Sequence, residues 1–358
     1  MKCLPHNKLP SAHGNILHDW HAEVLAIRAF NRFLLDQCLL TSTPPHPPSD
    51  WIRHRPASEH SPHQSQPFTI HDDVQIHMYC SEAPCGDASM ELVMDAQEDA
   101  IPWTSPPPTL STDNPDTSTE ATFSALRGRS NFSHLGSVRY KPSRPDAPPT
   151  QSKSCTDKLA LKQGTSLLSS LTSTLIHPSN AYITTLILPE SQYVPKACDR
   201  AFSQTGRLAP ISGEKWKGGY IWSPFTIKPT TREFEWSRRN IAPGQKAVPS
   251  NLSAVYTPAW QETLIGGVLQ GRKQLDPRGA SAVCRRSIWN AAVKVAAAGC
   301  VPIVMNVLGR RKYEEVKGDE VFEERRKVKE EVKMGGLKGW TKNEGDEDFS
   351  LGDGHGVS

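Results

Sequence analysis

His18-Asp19-Trp20-His21-Ala22-Glu23, followed downstream by Pro84-Cys85-Gly86-Asp87-Ala88, is the stretch whose reading decides the fold. After His21 the chain turns helical in pattern: Ala22, Leu25, Ala26, Ala29 and Phe33 fall on one face at i, i+3, i+4 spacing, predicting a helix over Ala22–Cys38 with Asp19 as its N-cap. Val74, Ile76, Met78 and Cys80 alternate with polar residues, which predicts a half-buried strand, and Pro84-Cys85-Gly86 opens a second helix through Met94. Further outward the pattern predicts helices over Leu159–Leu175 and Ser281–Ala298. It predicts strands over Tyr182–Leu188 and over Thr263–Leu269, the latter broken at Gly266-Gly267. Arg310 to Lys333 alternates in charge and reads as an exposed helix. Strands alternating with helices indicate an α/β sheet domain.

The residue types at the two turns carry a chemistry. An H-x-E at a helix start, followed by P-C at the next strand-to-helix turn, matches the opening of the zinc deaminase pattern. Catalytic zinc takes three protein ligands and leaves one position open for water, whose pKa it lowers to about 7. A carboxylate two residues after a ligand histidine is placed to move that water's proton to the substrate. Helix N-termini at His21 and Cys85 favour thiolate and hydroxide. A second cysteine three residues after Cys85 would complete the pattern, but Ala88 stands there. The third ligand lies elsewhere: Cys80 on the preceding strand, or Cys155 in the polar segment Ser154-Cys155-Thr156-Asp157-Lys158 at a helix opening.

With that distal segment the sequence resembles the RNA adenosine deaminases that convert adenosine to inosine. The resemblance continues through Leu188-Pro189-Glu190, Asn251 to Tyr256, Gly266 to Arg272, Arg278 to Ser281, Gly339-Trp340 and Phe349-Ser350-Leu351. The Leu161-Lys162-Gln163 helix, the Pro195 loop and the lack of a double-stranded-RNA-binding domain within this sequence point to the eukaryotic tRNA branch, which acts beside the anticodon of alanine tRNA. The resemblance implies an α/β, cytidine-deaminase-like mixed sheet flanked by helices with a C-terminal helical extension, zinc on His21, Cys85 and Cys155, and Glu23 as proton shuttle on a flipped-out adenine. It also implies a buried inositol hexakisphosphate held by Arg28, Lys158, Arg285, Tyr313, Lys317 and Trp340, with Asp19 and Lys141 relaying that ligand to the zinc cysteine. In the family a first helix and the first strands precede the segment matching Lys2-Cys3, so the resemblance implies an N-terminally shortened chain.

Composition bounds the remainder. Hydrophobic residues are 37% of 358, low for one compact fold, and the 30 prolines are clustered. Thr41–Pro67, with seven prolines and four histidines, and the Pro/Ser/Thr/Asp-rich stretch over about 95–126 read as disordered insertions in a single deaminase domain. No apolar run is long enough to span a membrane, and no signal-peptide h-region opens the chain. Eight irregularly spaced cysteines point to a reducing intracellular compartment, nucleus or cytoplasm. Net charge is only +3, so tRNA binding must come from local patches. Arg127 and Arg129, in a basic run with Arg139, Lys141 and Arg144, are the candidate RNA contacts; no protein partner is indicated. His13, His18 and the remaining cysteines read as surface, capping or core residues. Two rival readings stand beside tRNA deamination: an inactive fragment that retains RNA or zinc binding, and deamination of a free nucleoside or cytosine.

Overall fold

A computed structural model describes residues 2–95, 126–128, 132–141, 147–246, 248, 250–299 and 301–352. In chain order its elements begin with α1 (Ala22–Ser42), β1 (Ile52–His54), β2 (Phe68–Ile70), β3 (Ile76–Tyr79) and α2 (Met90–Asp95). Then come β4 (Leu126–Arg127), β5 (Arg139–Tyr140), α3 (Cys155–Thr165), β6 (Ile183–Pro189), α4 (Pro195–Phe202) and β7 (Thr226–Thr230). The chain ends in β8 (Leu252–Tyr256), β9 (Gln261–Ile265), β10 (Val268–Leu269), α5 (Arg285–Ala298), α6 (Pro302–Leu308), α7 (Tyr313–Gly318) and α8 (Glu323–Gly336).

The architecture is α/β, with parallel and antiparallel strands in separate sheets. β3, β6 and β7 form a parallel sheet with β6 in the middle. β6 is the most apolar of the three; Leu186 and Leu188 on one face are fully buried, and on the other Thr185 is buried and Ile187 half-buried, as a central parallel strand covered on both faces requires. One side packs on α3, α4 and α8 through Leu159, Phe202, Val328 and Val332. A second core joins α1, α5 and α6 around the buried Trp289, whose indole N–H donates to the Leu308 carbonyl (2.8 Å). β10-β9-β8 is an antiparallel sheet turning at Gly266-Gly267, and it packs on the Leu4–Leu25 segment. Parallel strands put the turns of β3 and β6 at one end of the sheet, which is where ligands of such sheets bind.

Several expectations are corrected. Asp19 is not the N-cap of α1. His21 occupies that position, and Asp19 accepts the His21 N–H (3.0 Å). The third helix starts earlier, at Cys155, and stops at Thr165, because Ser166 has φ +56°. Leu167, Leu168 and Leu171 are buried on a looped segment, and apolar spacing alone does not separate a buried loop from a helix. Arg310–Lys333 is two helices rather than one: Asp319 leaves α7 and caps the next turn by accepting the Val321 N–H. Nor is it wholly exposed, since Val316, Phe322, Val328 and Val332 are core residues. Residues 41–67 carry ordered structure. β1 pairs antiparallel with β2, Ile52 is buried, and the Arg55 guanidinium closes the loop by donating to the carbonyls of Glu59, Gln64 and Gln66. The stretch expected as the second insertion falls almost wholly on 96–125, outside the described residues, as do Arg129 and Arg144.

Candidate metal centre and basic cavity

Three chain segments meet at the sheet's carboxyl end. His21 is held by the loop before α1. There Leu17 N donates to the Gly267 carbonyl (2.9 Å), Ser253 Oγ donates to the Trp20 carbonyl (3.0 Å), and Asp346 accepts from Gly14 N (2.8 Å) and pairs with His18 Nε2 (2.6 Å). His18 is therefore a half-buried tether to the C-terminal segment rather than a surface residue.

Cys85 sits on a turn stitched to the first turn of α3. Thr156 N donates to the Cys85 carbonyl (3.0 Å) and Thr156 Oγ1 to the Pro84 carbonyl (2.9 Å). Gly86, at φ +112°, lets the turn close on α3: a Cβ there would lie 2.3 Å from Ser154 Oγ. Ser154 caps α3 by accepting from Asp157 N, and the fully buried Asp157 is fixed in turn by Arg139 N (2.9 Å) and Arg207 (2.6 Å). Cys155 is the first residue of that helix, and its N–H donates to Cys85 Sγ (3.4 Å). An orphan N–H of a helix start thus faces a thiol, which favours the thiolate.

One ligand atom each from His21, Cys85 and Cys155 lies within 4.8 Å of the others. His21 Nδ1 is 3.9 Å from Cys85 Sγ, and Lys141 Nζ donates to Cys155 Sγ (3.2 Å). The two thiols are shifted in opposite directions. The bond from Cys155, then Lys141 and His21, overcome burial and hold Cys85 well below the usual thiol range; burial, then the bond to Cys85, pushes Cys155 well above it. Two thiols and an imidazole with an anion-stabilising lysine are a donor set suited to zinc, with a fourth position left for water. Glu23 is half-buried in the first turn of α1. Burial, reinforced by Cys85, raises its carboxyl above the usual range, as a proton-shuttling carboxyl requires. Cys80 lies outside the cluster: it is buried at the end of β3 and burial raises its thiol. Cys3, Asp19 and His21 also lie close together. That group suits no cation, because Asp19 is committed to two lysines and burial pushes the Cys3 thiol up to about 12.

From Cys155 a polar chain runs inward. Lys141 Nζ bonds Asp19 Oδ2 (2.7 Å), and Asp19 also accepts from Lys158 and from Ser152 Oγ (2.7 Å). Burial would raise the Asp19 carboxyl, but Lys158 and Lys141 outweigh it and hold it well below the usual range. Lys158 in turn lines a cavity of about 300 Å³ with Arg28, Lys162, Arg285, Tyr313 and Trp340. Lys317 is not among its lining residues, but its charge repels Lys162 there. Burial, then the neighbouring cations Arg325 and Lys329, lowers both Lys162 and Lys317 well below the usual lysine range. Burial also lowers Lys153 to about 7 and Lys329 to about 8, with further repulsion from Lys158 and Lys333 respectively. So many lysines held against their charge suit a polyanion. Lys162 was not among the sequence-derived ligand set, though it stands one turn after Lys158 on the same helix face. Arg127 is half-buried and donates to the Ala147 carbonyl.

An α/β fold with a His/Cys/Cys cluster and an adjacent raised glutamate is that of a deaminase-class hydrolase. Residues 1–344 match the family model of the adenosine-deaminase (editase) domain, and the chain belongs to that family. It is 37% identical over 296 residues to tRNA-specific adenosine deaminase 1 of Schizosaccharomyces pombe, covering 81% of this chain and 70% of that protein. It is 35% identical over 173 residues to tRNA-specific adenosine deaminase 1 of Saccharomyces cerevisiae, covering 48% of this chain and 40% of the relative. Among the described residues no helix is long and apolar enough to cross a membrane.

Proposed function

We propose that this chain converts adenosine to inosine in tRNA, at the nucleotide beside the anticodon of alanine tRNA, consuming water and releasing ammonia. The observation that carries the reading is the convergence of His21, Cys85 and Cys155 beside a half-buried Glu23 in a member of the editase family. The names of both yeast relatives support tRNA as substrate.

His21, Cys85 and Cys155 would hold zinc, which supplies a Lewis acid that brings the pKa of water to about 7. Glu23 accepts one proton from the water and passes it to N1 of the adenine as the water oxygen bonds to C6. It then takes the remaining proton of the new C6 hydroxyl and passes it to the amino group, so that the C6–N bond breaks, ammonia leaves and a C6 carbonyl remains. Lys141 neutralises thiolate charge at Cys155 and orients that sulfur. Asp19 holds Lys141 and Lys158 together, coupling the metal ligands to the basic cavity. That cavity is the proposed seat of inositol hexakisphosphate, with Arg28, Lys158, Arg285, Tyr313 and Trp340 as donors and Lys317 behind them. Arg127 and Arg129 are proposed backbone contacts for the tRNA.

Turnover on three substrates tests the reading. The expected result is inosine from an unmodified tRNA transcript, with neither free adenosine nor cytidine consumed. Turnover of cytidine would remove the adenosine assignment. Stoichiometric zinc without turnover of any substrate would leave a metal-binding fragment.

A further inference from the structure

At the end of the parallel sheet that carries the metal cluster, three large aromatic side chains are exposed on a hydrogen-bonded loop and strand end. Trp236 is 79% exposed, Phe234 46% and Tyr79 41%. Tyr79 ends β3, and the other two lie on the loop that follows β7. That loop is tightly tied. Arg239 reaches back to the Ser81 carbonyl (2.6 Å), to Glu82 (2.8 Å) and to Glu233 (2.9 Å). The Tyr79 hydroxyl donates to the Arg232 carbonyl (3.2 Å), and Ser191 Oγ donates to Glu233 (2.6 Å). The Phe234 carbonyl accepts from Ser237 N (2.9 Å) and Asn240 Nδ2 (2.8 Å). The backbone is thus fixed on both sides of Phe234 and Trp236, and Trp236 buries little of its own surface.

The location is specific. Ser81 and Glu82 run directly into Pro84-Cys85, and Ala83 N donates to Gln192 on the turn after β6 (3.1 Å). The aromatic loop therefore shares the carboxyl end of the parallel sheet with the His21, Cys85 and Cys155 cluster. Exposed Arg232 and Arg238 flank the rings, with Glu235 between them. Aromatic faces interleaved with cations, mounted rigidly beside a site that must receive a base out of its stack, suit unpaired nucleobases.

Resting on the RNA reading above, we propose that Trp236 and Phe234 form a stacking platform for unpaired bases flanking the target adenosine. Extruding one nucleotide leaves its neighbours without a stacking partner, and two fixed aromatic faces supply one. The exposure of Trp236 makes its substitution harmless to the core.

The test measures affinity and turnover of the full chain on an unmodified alanine tRNA transcript. Trp236→Ala is expected to weaken binding about five- to 150-fold, the span for loss of one base–aromatic stack. Turnover at saturating tRNA and zinc content are expected to stay at wild-type values. Trp236→Tyr is expected to recover most of the affinity and Trp236→Leu little of it, and Phe234→Ala is expected to act in the same direction as Trp236→Ala. A tRNA-active wild type whose affinity changes less than twofold in Trp236→Ala overturns the platform alone. Wild-type affinity in Trp236→Leu also overturns it, because an aliphatic contact then suffices, as on a protein-docking surface. A wild-type chain that binds no tRNA overturns both this proposal and the reading on which it rests.

Discussion

Cys85 and Cys155 illustrate how a single backbone N–H organises a site. The Cys155 N–H, left unpaired at the start of α3, faces Cys85 Sγ, while Lys141 faces Cys155 Sγ. Neither sulfur is therefore a bland core thiol, unlike Cys38, which burial alone keeps protonated. The roles of ligand and shuttle separate cleanly by substitution. Glu23→Ala is expected to retain zinc while losing at least the 10²–10⁴-fold that positioned proton transfer contributes. Cys155→Ala is expected to lose zinc and activity together, read by metal analysis beside inosine formation. Full zinc in Cys155→Ala and its loss in Cys80→Ala would reassign the third ligand. In the sequence the H-x-E and P-C spacing suggested His21, Glu23 and Cys85, and gained weight only when joined to the distal cysteine segment. Cys155 was legible only through its family segment, because 69 residues separate it from Cys85 and no local period connects them.

At the scale of elements, the sequence was readable where one face is buried in a regular period and misleading where it is not. β3 follows its apolar alternation closely, whereas α1 forms where its spacing predicts but buries Leu25, Ala29, Leu34, Leu35 and Cys38, with Ala22 and Ala26 left exposed. The leucines after Thr165 do not form a helix, since they are buried one at a time by a loop that docks on Asn31: Ser169 N donates to Asn31 Oδ1 (2.5 Å). The charged run from Arg310 hides its buried valines and Phe322 among charges, so charge alternation masked two helices with a core face. Gly164 shows the same dependence on packing. In an isolated helix it costs about 1 kcal/mol relative to alanine. Here α8 crosses α3 at that point, and a Cβ on Gly164 would lie 2.5 Å from Val332 Cγ2. Gly164→Ala is therefore expected to lower the melting temperature, despite its better helix propensity, as thermal unfolding would show. A rise in melting temperature would mean that Val332 yields without cost.

Across the whole molecule, a metal cluster at the sheet end and a basic cavity beneath it share one salt-bridged relay, Cys155–Lys141–Asp19–Lys158. Two lysines coupled by charge to the cavity set a measurable linkage: Lys153 is repelled by Lys158, and Lys329 repels Lys162. Lys153 and Lys329 are lowered to about 7 and about 8 from an unfolded value of 10.5. Below pH 7 these lysines are charged in both folded and unfolded chains, and the cost of burying them is fully present. Between about pH 7 and 10 the unfolded chain binds more protons than the fold, so the ligand-free fold gains stability as pH rises. A bound polyanion favours the charged lysines, so its binding takes up protons and its affinity falls over the same window. Calorimetric titration of inositol hexakisphosphate at pH 7 and pH 9 is expected to show weaker binding at pH 9, with proton uptake revealed by two buffers of different ionisation enthalpy. Equal affinity at both values would detach the lysines from the ligand. Chemistry on RNA is tested by nucleotide-resolved detection of inosine in an unmodified alanine tRNA transcript incubated with the zinc-loaded chain, with Glu23→Ala alongside. The account predicts inosine at the single adenosine beside the anticodon with the wild-type chain and none with the variant. Unchanged adenosine with a folded, zinc-replete wild-type chain, or equal inosine from Glu23→Ala, would contradict it.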